Sequence, residues 1–187
     1  MAAARESSPP RPSGADAVDV AARELLRVSL ERLGHATRDA AAGDAEGVHQ
    51  LRVTLRRLRA TLALFGPVLG TPASLERDLA WLGRQVGGVR DVDVTAVALA
   101  QRSRRLSDDW GEALTPLVED LTQERAVAHA ALVEALRSSR AIRAFSRVME
   151  VSRGPAHGAR PVSLATRAPE LIAPLLRRVR AAARNAA

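Results

Sequence analysis

The feature that most limits the fold is a regular apolar stripe in the second quarter of the chain. Its members recur at steps of three and four residues, and they are Val48, Leu51, Leu55, Leu58, Leu62 and Phe65. This spacing is typical of one face of an amphipathic α-helix and does not fit the two-residue alternation of a strand. A second stripe with the same steps follows at Leu75, Leu79, Leu82, Val86 and Val89. Two such stripes predict long helices that pack on each other.

Capping residues, glycines and prolines mark the ends of the helices in the first half. The first helix is predicted to begin near Asp16 and to end near Ala42, before a break at Gly43-Asp44. Asp44 is predicted to cap the second helix, which Gly66-Pro67 is predicted to end. Thr71-Pro72 is a capping residue followed by a first-turn proline, and it is predicted to open the third helix.

The same signals continue in the second half. Gly87-Gly88 weakens the third helix, so a separate helical stretch is predicted from about Asp91 to Leu106. Thr115-Pro116 repeats the capping pattern and is predicted to open a long helix that ends near Arg137. Residues 138–149 are predicted to continue as another helix.

The last part of the chain is predicted to hold a loop and a final helix. Residues 153–168 are predicted to be a loop, because they contain two glycines and two prolines. The last helix is predicted to begin near Pro169, with a kink at Pro174. The fold class is therefore predicted to be all-α, an antiparallel bundle of about six or seven helices. Residues 1–15 are predicted to be a disordered leader and residues 16–187 one helical domain.

Composition supports this fold class and excludes several functions. Hydrophobic residues make up 47% of the 187 residues and aromatic residues 2%, so a core is available but strand-forming residues are few. Because there is no cysteine, disulfides, thiolate nucleophiles and cysteine-ligated zinc are excluded. No apolar run approaches the ~20 residues that span a bilayer, and the first residues lack the apolar segment of a secretory signal. We therefore expect a cytoplasmic protein with no membrane partner.

The second helix also carries a row of three arginines and one histidine. The row consists of His49, Arg52, Arg56 and Arg59, which we call the cationic ridge. On a helical wheel at about 100° per residue the ridge spans about 80°, directly beside the apolar stripe. No acidic residue occurs over residues 50–75 to neutralise it. Either carboxylates of another helix pair with the ridge, or an anionic ligand does.

A second polar group lies on the third helix. One face of this helix carries Arg77, Trp81, Arg84, Gly88 and Asp91. Asp91 and Asp93 are predicted to cap the next helical stretch and to form ion pairs with Arg90 or with Arg57, which points away from the ridge. In a weaker alternative, the Gly-Gly pair before Arg90 exposes backbone N–H groups to an anion.

Motifs for catalysis and metal binding are missing from the sequence. There is no HExxH, phosphate-binding loop, GxSxG or glycine-rich dinucleotide turn. Asp91 and Asp93 have the oxygen ligands that Mg²⁺ prefers, but beside arginines an ion pair is the better interpretation. Arg125 and His129 lie four residues apart and are interpreted as a surface pair. We therefore predict a non-enzyme with no catalytic residue, no metal and no cofactor.

Three segments resemble one known family. Residues 48–59 are similar to the His-x-x-Arg-Val-x-x-Arg-Arg-Leu-Arg signature of the CHAD domain, the conserved-histidine α-helical domain. Residues 79–82 and 89–94 resemble its next block, a Trp-Leu step followed by Arg-Asp-x-Asp-Val. Residues 125–140 resemble its following helix. The resemblance spans about residues 16–184.

The resemblance implies an all-helical domain whose two similar halves surround a basic central groove. It also implies non-catalytic binding of inorganic polyphosphate and localisation to polyphosphate granules. The residues implied in polyphosphate binding are His49, Arg52, Arg56, Arg59, Arg84, Arg90 and Arg125, with Arg57 as a structural residue. The family has a second His/Arg helix about where this sequence ends. The chain is therefore interpreted as C-terminally short. It is either a truncated gene product, a fragment, or a half-domain whose homodimer completes the missing half.

Two other functions remain open from the residues alone. The 28 basic residues, all arginine, exceed the 21 acidic residues and give a formal net charge of +7, which by itself predicts a nucleic-acid binder. Because there is no tyrosine and there are only two tryptophans and two phenylalanines for base stacking, we expect such binding to be weak and non-specific. The other alternative is a structural or adaptor bundle whose arginines pair internally.

Overall fold

Six helices make up most of the chain that the structure describes. This computed structural model describes residues 13–103, 108–154 and 162–185. The helices are α1 (Val18–Ala41), α2 (Ala45–Leu69), α3 (Ala73–Ser103), α4 (Asp108–Arg137), α5 (Ser139–Arg153) and α6 (Leu164–Asn185). Extended pairing within these residues is limited to one isolated bridge between Ala17 and Ser163. The predicted all-α bundle is therefore confirmed.

α1 and α2 form a tight helical hairpin. Gly43 adopts a φ of 88° in the turn, and the Asp44 carboxylate accepts a hydrogen bond from the Gly47 N–H at 2.7 Å, as predicted for a cap. A Cβ atom on Gly47 would lie 2.5 Å from the Asp39 Cβ and 2.6 Å from the Ala40 N. The two backbones therefore touch at a point where any side chain would clash.

The core lies between α1, α2 and α3, and α5 and the end of α4 close it. Every residue of the two predicted apolar stripes on α2 and α3 is buried. Leu26 of α1, Leu132 of α4 and Val148 of α5 complete the same cluster. Because burial of each large apolar side chain contributes about 1.5–3 kcal/mol, the stripes fix how α2 and α3 are rotated about their axes. The direction of the side chains beside the stripes is fixed with them.

Two predicted breaks in this core are wrong. α2 continues through Pro67 and ends before Gly70, whose left-handed backbone (φ 64°) caps it. Its last residue, Leu69, is buried, and this burial favours one more turn of helix. α3 runs unbroken through Gly87-Gly88, because Val86 and Val89 on either side are buried. Their burial outweighs the cost of about 1 kcal/mol for each glycine in a helix.

Two predicted helix starts are also wrong. α4 begins at Asp108, so Pro116 lies inside it, in an exposed part where water can hydrate the carbonyl that loses its partner. α6 begins at Leu164 and contains both Pro169 and Pro174. The signal for this earlier start is Ser163, whose hydroxyl accepts a hydrogen bond from the Thr166 N–H at 3.2 Å.

The beginning of the described chain packs beside α6. The N–H of Leu164 donates to the Asp16 carbonyl at 2.8 Å, and the N–H of Ala165 donates to the Gly14 carbonyl at 3.0 Å. The predicted leader lies outside the described residues as far as residue 12. α6 packs on α1 and α2, with Leu164 and Leu171 against the core.

Candidate anion-binding cleft

α2 and α3 enclose a cleft of about 530 Å³ on one side of the bundle. Its walls are formed by His49, Arg52, Val53, Arg56, Arg90, Asp91, Val94 and Thr95. The cleft therefore brings three members of the cationic ridge together with Arg90, which lies about 40 residues further along the chain. Sequence reasoning named the charged residues of this wall, but it did not name Val53, Val94 or Thr95.

The buried stripes explain why these side chains meet. Leu51 and Leu55 point into the core, so the neighbouring Arg52 and Arg56 lie at its edge, where they are exposed. Gly87 of α3 faces Arg52 and is itself buried. A Cβ on this glycine would lie 3.8 Å from the Arg52 Nη1, so the guanidinium lies close to the α3 backbone.

Positive charge dominates the cleft. Among the residues that the structure describes, Arg52, Arg56 and Arg90 form no ion pair within 4.0 Å. The carboxylate in the wall is that of Asp91, and it too is exposed and has no ion-pair partner in the described chain. The Thr95 hydroxyl donates to the Asp91 backbone carbonyl at 2.8 Å. This hydrogen bond holds the Thr95 side chain against its own helix. Three arginines thus face a single carboxylate.

Two other predicted site residues lie outside this wall. Arg59 continues the cationic ridge and is half-buried, and its Nε is buried without a hydrogen-bond partner among the described atoms. Arg84 is exposed on α3. The structure therefore does not bring either of them into the cleft with Arg52 and Arg56.

Arg125 has a different environment from the other predicted binding residues. Its Nε donates to Asp93 Oδ1 at 2.6 Å and its Nη2 donates to the Gly43 carbonyl at 2.9 Å. The Asp93 side chain is only 6% exposed. Asp93 therefore pairs with Arg125 and not with Arg90 or Arg57, the partners expected from sequence. Arg57 is exposed and has no ion pair in the described part of the chain.

His129 takes part in the same contact between helices. Its Nε2 lies 3.0 Å from the Ala40 carbonyl, and its ring packs near Gly43. The interpretation of Arg125 and His129 as a surface pair is therefore wrong. The two side chains hold α4 against the turn between α1 and α2, directly before the helix that carries the ridge. Nothing in the local sequence signals this contact, because it joins residues more than 80 positions apart.

The predicted polar face of α3 does not act as one surface, because Trp81 on this face packs against α5. The Arg140 guanidinium of α5 lies over the Trp81 ring, 4.5 Å from its centroid, and its Nε donates to Asp78 at 2.7 Å. This contact ties α5 to the first half of α3. Trp81 is thus engaged in packing between helices.

The described residues form neither a cluster of metal ligands nor a membrane-spanning helix. Within residues 13–103, 108–154 and 162–185, no three histidine, aspartate or glutamate side chains lie close enough together to hold a metal ion. None of the described helices is both long enough and apolar enough to cross a membrane.

Comparison with known proteins identifies the family. The family model of the CHAD domain matches residues 24–187. A solved structure similar to this chain is the crystal structure of the CHAD domain from the plant Ricinus communis, with 27% sequence identity and a TM-score of 0.66. The match covers 80% of this chain and 52% of the plant chain, so this chain spans about half the length of that relative. A search of curated proteins gave no significant match. The family match covers most of the sequence and agrees with the helical architecture, and the chain belongs to the CHAD domain family.

Proposed function

We propose that the cleft between α2 and α3 binds inorganic polyphosphate without catalysing its reaction. The observation that carries the proposal is the group of Arg52, Arg56 and Arg90 in one open cleft, without carboxylate partners in the described chain. Charged side chains that lack partners are costly to hold together, and a bound polyanion removes that cost. The resemblance of residues 48–59 to the family signature implies the same ligand.

The chemistry of arginine suits this ligand. A guanidinium is planar and presents several N–H donors, so it forms paired hydrogen bonds with phosphate oxygens. Arg52 and Arg56 lie one helical turn apart, about 6 Å along α2 at 1.5 Å per residue. A linear chain of phosphates can follow this row from one guanidinium to the next, and Arg59 extends the same row beyond the cleft wall.

Nucleic acid is the competing ligand, and the aromatic residues disfavour it. Non-specific single-strand binding combines positive charge with aromatic rings on which bases stack. Phe65 is buried, Phe145 is half-buried, and the Trp81 ring lies under Arg140. None of these three rings is free to act as a stacking platform.

The arrangement of arginines also disfavours a purely structural role. A structural or adaptor bundle would pair these arginines with carboxylates across the bundle. Asp93 and Asp78 do form such pairs, but with Arg125 and Arg140. We further propose that polyphosphate binding directs the protein to polyphosphate granules in cells that contain them.

The test is a competition between two polyanions near physiological salt. Labelled polyphosphate is bound to the protein, and unlabelled polyphosphate or duplex DNA of matched total charge is added. We expect polyphosphate to displace the label at least roughly tenfold more effectively than DNA, with affinity that falls steeply as salt increases. Equal and weak displacement by both polymers would contradict the proposal and favour a generic basic bundle.

A further inference from the structure

A second groove in the molecule is mostly apolar and lies on a different face of α3 from the cleft. It runs between the C-terminal half of α3 and the first half of α4 and has a volume of about 390 Å³. Its walls include Val92, Leu99, Leu114, Val118 and Leu121. Val118 is 50% exposed, although it lies among these apolar neighbours. We call this feature the α4 groove.

α6 carries an apolar surface that is shorter than the groove and can lie within it. Ile172, Leu176 and Val179 recur at steps of four and three, and they are 43%, 49% and 65% exposed. The other apolar face of α6, with Leu171 and Leu175, faces α2. The exposed stripe extends over about 10 Å, and the α3 wall of the α4 groove from residue 92 to 103 over about 16 Å, at 1.5 Å per residue.

The charges beside the two surfaces are opposite. Beside the groove, α4 carries Glu119, Asp120 and Glu124. Arg125 also lines the groove, but its guanidinium forms an ion pair with Asp93. Beside the stripe, α6 carries Arg180 and Arg184, and residues 171–185 contain no acidic residue. Arg178 lies on the other face of α6, with Leu171 and Leu175 against α2. Five of these flanking side chains form no ion pair with another residue of the described chain, and they are Glu119, Asp120, Glu124, Arg180 and Arg184.

We propose that α6 of one copy of this chain lies in the α4 groove of a second copy. Within one chain α6 packs on α1 and α2, whereas α4 packs on α3, α5 and α1. Mutual insertion of the two α6 helices gives a twofold symmetric dimer in which each surface is used once by each copy. Apolar burial along the stripe drives association. The flanking charges determine which surface α6 binds and in which direction it lies in the groove.

This dimer is independent of the proposed polyphosphate site. His49, Arg52 and Arg56 line neither the α4 groove nor the exposed face of α6. If the chain binds polyphosphate but is a monomer, the proposed dimer is wrong and the proposed function stands. If the chain dimerises but does not bind polyphosphate, the proposed function is wrong and the dimer stands.

Charge reversal on each side tests the interface. One variant carries Glu119→Arg with Glu124→Arg, and the other carries Arg180→Glu with Arg184→Glu. All four positions flank the apolar surfaces on exposed parts of helices, so both variants should fold like the wild type, which circular dichroism checks. Sedimentation equilibrium over a dilution series then measures the dissociation constant of the dimer. We expect each variant alone to dimerise at least roughly tenfold more weakly than the wild type, because like charges then face each other.

Mixing the two variants provides the decisive result. In the mixed dimer both contacts regain opposite charges, so we expect the mixture to recover wild-type dimerisation. The control variant Arg57→Glu with Arg137→Glu also reverses two charges, but at exposed positions outside the groove lining and outside α6, and should dimerise like the wild type. A wild-type chain that is monomeric throughout the series would overturn the proposal. Unchanged dimerisation of the reversed variants, or no recovery on mixing, would overturn it as well.

Discussion

The arginines around the cleft differ from the arginine that ties α4 to the bundle. Arg52, Arg56 and Arg90 line an open cleft without a carboxylate partner in the described chain. Arg125 instead bridges the buried Asp93 and the Gly43 carbonyl. Residues of the same type therefore have different expected roles, ligand binding in the first group and positioning of helices in the second. Measuring both the free energy of unfolding and the affinity for polyphosphate of substituted variants separates the two roles.

Replacement of Arg125 should act mainly on stability. Arg125→Ala leaves the nearly buried Asp93 carboxylate without its partner, and we expect a loss of about 1.5–3 kcal/mol in the free energy of unfolding. Chemical denaturation measures this, with Arg57→Ala as an exposed, unpaired control that should change stability by less than about 0.5 kcal/mol. Unchanged stability together with lost polyphosphate affinity would instead make Arg125 a ligand contact.

Replacement of Asp91 should act on affinity in the opposite direction to the arginine variants. Asp91 supplies a negative charge to the cleft wall, and Asp91→Asn removes it while keeping the shape of the side chain. We expect polyphosphate to bind a few-fold more tightly, since a like charge near the surface costs about 1 kcal/mol. Glu46→Gln, at the start of α2 but outside the cleft wall, is the control. Weaker binding by Asp91→Asn would show that this carboxylate orients an arginine for the ligand.

At the scale of helices, the sequence predicted the faces better than the ends. The three-four stripes of α2 and α3 determined which residues are buried, and the position of the cationic ridge followed from them. The continuity of α3 through Gly87-Gly88 was not predictable, because the burial of Val86 and Val89 depends on neighbouring helices. The Arg125–Asp93 pair was also missed, since it joins residues 32 positions apart on different helices. Local patterns carry no information on such contacts.

The close contact of α1 and α2 gives a test of the fold itself. Gly47→Ala places a methyl group within 2.6 Å of the α1 backbone, so we expect a loss of about 1–3 kcal/mol in the free energy of unfolding. Gly34→Ala is the matched control, because a Cβ there has no neighbouring atom within 4 Å. The control should gain about 0.5–1 kcal/mol from the better helix propensity of alanine. Equal effects of the two substitutions would contradict the close hairpin.

At the scale of the whole molecule, charge and shape have separate consequences. The net charge of +7 attracts any polyanion from a distance, so weak binding to nucleic acid is expected from charge alone. The cleft between α2 and α3 adds a fixed local arrangement of guanidinium groups, which only a closely spaced phosphate chain can follow. If the proposed function holds, we expect selectivity for polyphosphate to depend on the cleft and not on the total charge.

The affinity of polyphosphate for two charge-matched variants tests this assignment most directly. Arg52→Ala with Arg56→Ala removes two positive charges from the cleft, and Arg57→Ala with Arg137→Ala removes two from exposed positions outside it. Titration calorimetry near physiological salt should give at least a roughly hundredfold loss for the cleft variant, at about 1.5 kcal/mol for each charged hydrogen-bonding partner lost. The control should lose less than about threefold, the effect of net charge alone. Equal losses in the two variants would contradict the account, because binding would then depend on total charge and not on the cleft.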